Sequence, residues 1–316
     1  MIRKNISLKK YNSFNIEVNA KEFVEVNSKD QLIEIANITK AKKVLYLGGG
    51  SNILFTRDFD GIVIHLNIKG IQCEKTNSDE TVVKANAGEN WNNFVEFCIK
   101  NDLGGIENLS MIPGNVGSAP VQNIGAYGVE LKDVFLTCEV FNKNDFSIKT
   151  YNLEDCKFEY RNSIFKENKN LIILSVRLKL KNKNHKINSS YGVINDELKK
   201  LKISKPTIKD ISNVVCTIRK RKLPDPKKIG NAGSFFENPV VKKDKLEWIK
   251  KYFNDVPSYK LDNNNYKIPA AWLIESAGLK GKELDGFGIH KTQPLVLVNY
   301  GGAKGEDIYK LSLSIK

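Results

Sequence analysis

A short apolar run, Lys43-Val44-Leu45-Tyr46-Leu47, ends in Gly48-Gly49-Gly50-Ser51-Asn52 and is followed by Ile53-Leu54-Phe55. Glycines between two strand-like runs mark a backbone that turns tightly or approaches a ligand closely. Upstream, Asp30 to Ala36 reads as a helix capped by Asp30. Downstream, Gly61 to Leu66 and Thr81 to Ala85 read as strands, and Asn92 to Asn101 as a helix closed by Gly104-Gly105. This β-α-β unit followed by short strands and helices predicts α+β layering.

The segment Met111 to Gly128 constrains the chain further. It is rich in Gly, Pro, Ser and Asn, carries single apolar residues at intervals, and meets no charge until Glu130. Loops usually shed apolar residues and carry charge. An uncharged, backbone-rich segment suits a flat, partly apolar ligand whose phosphates or ring heteroatoms meet backbone N–H groups. A packed Ω-loop accounts for the same residues equally well.

Phe135 to Asn142 and Leu171 to Leu180 read as further strands. The charged stretch Lys181 to Lys186 is the best domain boundary in the chain. Beyond it, Asp244 to Tyr252 and Ala270 to Gly278 read as helices, Leu295 to Asn299 as a strand, and Ile308 to Ile315 as a helix. Two domains are expected, the first divisible into two subdomains.

Composition narrows the function. The hydrophobic fraction of 41% and charged fraction of 27% are those of a globular protein. The densest apolar stretch, Pro294 to Val298, is strand-sized, so no membrane span is expected. The N-terminus, Met1 to Asn5, lacks the apolar core of a signal peptide, so a cytoplasmic location is expected. The net charge of +14 raises the question of nucleic acid, but 44 of the 50 cations are Lys and only 6 are Arg. A nucleic-acid reader favours guanidinium forks, and no aromatic stacking platform is recognisable. Residues 199–251 hold 16 Lys/Arg against 5 Asp/Glu, an excess that suits a bound polyphosphate or a solvated lysine-rich face equally. Five scattered cysteines without a CxxC pair and three dispersed histidines suggest neither a disulfide framework nor a metal site.

Two places carry candidate chemistry. In Gly230-Asn231-Ala232-Gly233-Ser234-Phe235-Phe236-Glu237-Asn238-Pro239, small neighbours leave the Ser234 hydroxyl accessible. No GxSxG elbow and no nearby histidine support a hydrolase triad. In Tyr160-Arg161-Asn162-Ser163, a scarce arginine suits a carboxylate ligand, with a structural salt bridge as the alternative. Arg57, Arg177, Arg219 and Arg221 have no comparable context.

Taken in order, Gly48 to Asn52, Pro113 to Gly128, Tyr160-Arg161, Gly230 to Pro239 and Ala270 to Ile274 resemble the UDP-N-acetylenolpyruvoylglucosamine reductases of peptidoglycan synthesis. The resemblance runs from Asn12-Ser13-Phe14 to Asp307. It implies a vanillyl-alcohol-oxidase-like (PCMH-type) FAD-binding domain over 17–182 and a C-terminal α/β substrate domain over 183–316. It further implies FAD and NADPH as cofactors, a UDP-sugar substrate, no metal, and a cytoplasmic monomer. On the family's motifs, Gly48, Gly49, Gly50, Ser51 and Asn52 match the FAD pyrophosphate loop. Pro113, Gly114, Val116, Gly117, Ser118, Ile124 and Gly125 match the stretch along the flavin. Tyr160, Tyr191, Lys222, Asn238, Tyr259, Lys267 and Gln293 match substrate positions, with Tyr191 in the segment that folds over the substrate in the longer, enterobacterial-like branch. Arg161 and Ser234 match the catalytic arginine and proton donor.

One departure follows from the same resemblance. The family's catalytic glutamate would lie beyond Lys316, which implies a domain truncated at its end. The alternatives are therefore a catalytically impaired FAD-binding remnant and an FAD-dependent oxidase of the same fold. Nucleic-acid binding is more distant.

Overall fold

The apolar runs become strands and half-buried helices in the computed structural model, which describes residues 1–316 apart from the Lys75 side chain. The chain divides into two compact units. The first is Met1–Ile6, Ala20–Gly50 and Phe59–Arg221, and the second is Ser7–Asn19, Ser51–Asp58 and Lys222–Lys316.

The first unit contains two sheets. One is built from β1 (Arg3–Ser7), β2 (Asn19–Val26), β3 (Val44–Leu47) and β4 (Phe59–Leu66), in the order β1-β2-β4-β3. β4 runs parallel to both β2 and β3; the crossover from β2 to β3 that parallel strands need is made by a helix. The crossover helix α1 (Lys29–Ile38) buries Leu32, Ile35 and Ala36. Its cap is Ser28, whose side chain accepts from the Gln31 N–H, and not the expected Asp30, which lies inside the first turn.

The other sheet holds β5 (Ile71–Lys75), β6 (Glu80–Asn86), β9 (Phe135–Asn142), β10 (Ile148–Tyr151) and β11 (Leu171–Lys181), once the short hairpin β7 (Gly125–Ala126) and β8 (Val129–Glu130) is counted in the loop region. Its order is β10-β9-β11-β6-β5, antiparallel throughout. α2 (Trp91–Lys100), capped by the Asn90 side chain, packs Trp91, Phe94, Val95 and Cys98 into the core of this sheet. The single-turn helices α3 (Leu153–Cys156) and α4 (Ile164–Glu167) place Cys156 and Phe165 in the same core.

The compact units change over between Arg221 and Lys222. α5 (Gly192–Lys200) and α6 (Ile208–Lys222) bury Ile194, Leu198, Ile211, Val214, Val215 and Ile218 in one cluster that Tyr127 and Ile187 join. That apolar seam ties residues 187–221 to the first unit. The charged stretch 181–186 is thus a surface connection inside the unit.

In the second unit, β12 (Val240–Lys242), β13 (Tyr259–Lys260) and β14 (Asn265–Lys267) form a small antiparallel sheet ordered β12-β14-β13 beside α7 (Lys243–Lys250) and α8 (Ala270–Ser276). β15 (Phe287–Ile289) pairs with β16 (Leu297–Asn299), and α9 (Gly305–Ile315) ends the chain. Ile53 to Phe55, expected as a strand, joins no ladder. A Cβ on Gly305 would overlap the Phe55 carbonyl, so this segment is laid against the start of α9. Among the described residues no helix is long and apolar enough to cross a membrane.

Candidate active site

The glycine run and the uncharged loop meet within the first unit. A Cβ built on Gly49 would lie 2.8 Å from Asn115 Oδ1 and 3.1 Å from Gly114 Cα, so only glycine permits this approach. Gly50 has φ +65°, in the left-handed region. A Cβ on Gly48 would meet nothing within 4 Å, so the backbone there faces open space. The chain passes from the first unit to the second between Gly50 and Ser51.

The loop 111–128 is packed and specialised at once. Val116, Ala119 and Ile124 are buried in the core of the second sheet, and the Trp91 indole donates to the Leu109 carbonyl at 2.9 Å. Gly117 sits on the turn after β6, where a Cβ would lie 2.5 Å from Ala87 Cβ. The Val116 and Gly117 amides donate to the Glu89 and Ala87 carbonyls. The spaced apolar residues are therefore anchors, and Pro113 and Ser118 remain exposed between them. Met111, Asn123 and Tyr127 adopt left-handed φ values of 58°, 41° and 50°.

Arg161 is held against the end of this loop. It stands at φ 55° between Glu159 and Asn162, which bridge each other. Its Nη2 donates to the Gly125 carbonyl at 2.6 Å and Nη1 reaches the Asn123 carbonyl at 3.4 Å, while the guanidinium lies 5.3 Å from the centre of the Tyr160 ring. Among the described residues no carboxylate is paired with Arg161 in an ion pair, so the salt-bridge alternative has no partner. The fully buried Asn123 fixes this corner by donating to Glu130 Oε2 at 2.9 Å and to the Glu159 carbonyl at 3.2 Å.

Tyr191 lies just before α5 and is half exposed, its ring edge-on to that of Tyr127 at 5.6 Å. The buried Asn108 amide donates to both the Tyr127 carbonyl (3.1 Å) and the Asn188 carbonyl (2.9 Å), joining the loop to the Tyr191 segment. Arg219, on α6, is partly exposed with its Nε buried. The roles of Asn108, Asn123 and Tyr127 escaped the sequence reading because their partners are remote in sequence.

In the second unit, Ser234 is exposed and pairs through its backbone with Val296, while the Phe235 amide donates to the Leu295 carbonyl at 2.7 Å. Gly233 precedes it at φ +71° with open space where a Cβ would stand, which leaves the serine accessible. Phe235 packs edge-on to Phe14, 6.3 Å between centres. Gln293 accepts from the Val296 amide in the turn before β16, so the Ser234 and Gln293 segments adjoin. The Asn238 side chain accepts from the Ala270 amide at 2.9 Å and so caps α8. Tyr259 and Lys267 are cross-strand partners on β13 and β14. Lys222 closes α6. Each unit thus gathers its own predicted residues: Gly48 to Gly50, the loop, Tyr160, Arg161 and Tyr191 in the first, and Ser51, Asn52, Lys222, Ser234, Asn238, Tyr259, Lys267 and Gln293 in the second.

Among the described residues no group of three or more His, Cys, Asp or Glu could hold a metal. The donor set instead fits a dinucleotide. Backbone at Gly48 to Gly50, with an open cradle at Gly48, suits a diphosphate, and the uncharged loop suits a ring system. Residues 20–146 match the FAD binding domain model, and residues 225–316 match the UDP-N-acetylenolpyruvoylglucosamine reductase C-terminal domain. The chain is 50% identical to a UDP-N-acetylenolpyruvoylglucosamine reductase of Flavobacterium johnsoniae over 100% of its own length and 94% of the relative's. It is 45% identical to that of Amoebophilus asiaticus over the same shares. The crystal structure of the reductase from Thermus caldophilus shares the fold at a TM-score of 0.70 and 23% identity, covering 100% of this chain and 95% of that one. The chain belongs to the UDP-N-acetylenolpyruvoylglucosamine reductase family.

Proposed function

We propose that this protein reduces UDP-N-acetylglucosamine enolpyruvate to UDP-N-acetylmuramate with NADPH and FAD, in the cytoplasm, as a step of peptidoglycan synthesis, and that it acts as a monomer. Family membership supports the reaction. The observation in the structure that carries the reading is Arg161, a guanidinium with no carboxylate partner among the described residues, tied to the loop expected along the flavin.

Gly48, Gly49, Gly50, Ser51 and Asn52 would hold the FAD diphosphate, and Pro113, Gly114, Val116, Gly117, Ser118, Ile124 and Gly125 the ring system. FAD, when bound, supplies hydride transfer from NADPH to the terminal carbon of the enolpyruvyl group. That addition to a vinyl ether conjugated to a carboxylate leaves negative charge on the carboxylate and its adjacent carbon. Arg161 stabilises this charge, and the fixed contact with Gly125 pre-orients its fork, so little reorganisation is needed as charge develops. Ser234 donates a proton to the adjacent carbon. A serine is a weak acid, but an enolate-like carboxylate is basic enough to take its proton. Tyr160, Tyr191, Lys222, Asn238, Tyr259, Lys267 and Gln293 would hold the UDP-sugar. The lysine-rich segment 199–251 supplies the electrostatic complement of its diphosphate.

The test is steady-state NADPH oxidation by the yellow protein. Consumption that requires the enolpyruvyl UDP-sugar and yields a product two hydrogens heavier supports the reading. NADPH-independent oxidation of an added alcohol would overturn it.

A further inference from the structure

We propose that Asn108 is a positioning residue for the UDP-sugar: its buried side chain fastens the segment that carries Tyr191 to the 111–128 loop and so presets Tyr191 for the substrate. This rests on the reading that Tyr191 folds over that substrate.

A side-chain amide carries two N–H bonds on one nitrogen, and Asn108 commits both. Its Nδ2 donates to the Tyr127 carbonyl at 3.1 Å and to the Asn188 carbonyl at 2.9 Å, on stretches remote from each other in sequence. Asn188 answers across the same gap. Its own Nδ2 donates to the Gly128 carbonyl at 3.1 Å, and a Cβ on Gly128 would stand 3.4 Å from that nitrogen. The Asn188 Oδ1 then accepts from the Ser190 hydroxyl at 2.9 Å and the Ser190 amide at 3.4 Å, a local turn that ends immediately before Tyr191. Tyr191 itself is 52% exposed, with its ring edge-on to that of Tyr127. What holds it in place is therefore chiefly the backbone behind it.

The anchor is immobile on its own account. Asn108 is 1% exposed, in the turn Glu107–Leu109. The buried Glu107 carboxylate accepts from the Gly105 amide at 2.6 Å, and the Trp91 indole holds the Leu109 carbonyl. The Ser110 hydroxyl donates to the Glu107 carbonyl at 2.6 Å and meets Ser212 Oγ of α6 at 2.8 Å. A positioning group works when its own support is locked, and this one is locked from both sides. Nearby carbonyls would satisfy a buried amide equally well. Placing one N–H on the loop and the other on the Tyr191 segment makes the position of each depend on the other.

The experiment is a double-mutant cycle on the holoenzyme, reading KM for the enolpyruvyl UDP-sugar separately from kcat. N108A is expected to raise KM about tenfold, with kcat within about twofold of the parent, because it disturbs binding orientation and not chemistry. N108D keeps the size of the side chain but, ionised at pH 8, offers no N–H to either carbonyl, so its KM rises at least as far. In a Y191A background N108A raises KM no further. If neither Asn108 variant retains flavin, N188A, at a half-buried position, carries the same comparison with a change of about threefold. A lowered Tm with unchanged KM in N108A, a parent-like KM in N108D, or multiplying effects of N108A and Y191A overturn the proposal and leave the substrate role of Tyr191 intact. An unchanged KM in Y191A alone overturns that role and the proposal with it.

Discussion

Two glycines of the proposed FAD site, Gly117 and Gly48, separate stability from cofactor binding. In G117A the new Cβ would lie 2.5 Å from Ala87 Cβ and 2.9 Å from Ala87 Cα, whereas ordinary contact is 3.4–4 Å. The turn 116–118 must therefore retreat by roughly 1 Å from backbone that cannot yield, an overpacking cost of about 1–3 kcal/mol. At a chain of this size, that lowers Tm by roughly 1–5 °C. In G48A the new Cβ meets nothing within 4 Å and the backbone is not left-handed. The apoprotein should keep its Tm or gain about 0.4–1 kcal/mol through a less flexible unfolded chain. The same methyl stands where a diphosphate must approach, so FAD affinity should fall at least about tenfold, or ~1.4 kcal/mol. Thermal unfolding of the apoproteins and fluorescence titration with FAD measure the two effects. A G48A variant that binds FAD like the parent would refute the placement of the diphosphate, and an undisturbed G117A Tm would refute the packing of the loop.

Three further outcomes follow from the geometry. R161K keeps the charge but cannot, without a planar fork, reach the Asn123 and Gly125 carbonyls and a carboxylate together; kcat/KM should fall about 10²–10³-fold while flavin is retained, and equal activity would return Arg161 to a structural role. S234A should leave flavin reduction by NADPH intact and slow UDP-sugar reduction by about 10²–10⁴-fold, measured by comparing the two rates; equal loss of both would remove the proton-donor role. Glu139 is partly buried, which works to raise its pKa, yet Lys29, Ser175 and Lys84 outweigh this and hold it at about 2. A depressed folded-state pKa contributes stability above the unfolded value near 4.5 that is lost as pH falls toward 2. E139Q should therefore cost about 1–2 kcal/mol at pH 7 and progressively less below pH 4, read by urea unfolding; a pH-independent loss would contradict the ion-pair network.

Local signals were legible where one stretch of chain suffices. The glycine run, the period of β4, β6, β9 and β11, and the apolar anchors of the 111–128 loop all appear in the structure as read. What could not be read was set by distant partners. Ile53 to Phe55 has strand composition, but its neighbour is Gly305 and not another strand. The lysine-rich stretch 181–186 reads as a linker, yet the apolar faces of α5 and α6 find Tyr127 and hold residues 187–221 in the first unit. Ser28 and Asp30 both suit a helix cap, and only the backbone geometry chooses between them. Arg161 stood out by its motif, whereas the buried Nε of Arg219 on α6 is visible only in the fold.

Anaerobic stopped-flow spectroscopy in two separate mixings shows whether one bound flavin couples NADPH to an enolpyruvyl UDP-sugar. NADPH alone should bleach the yellow protein, and subsequent addition of UDP-N-acetylglucosamine enolpyruvate should restore the colour with one UDP-N-acetylmuramate formed per flavin. Colour that returns only with oxygen, with no product formed, would rule out that coupling.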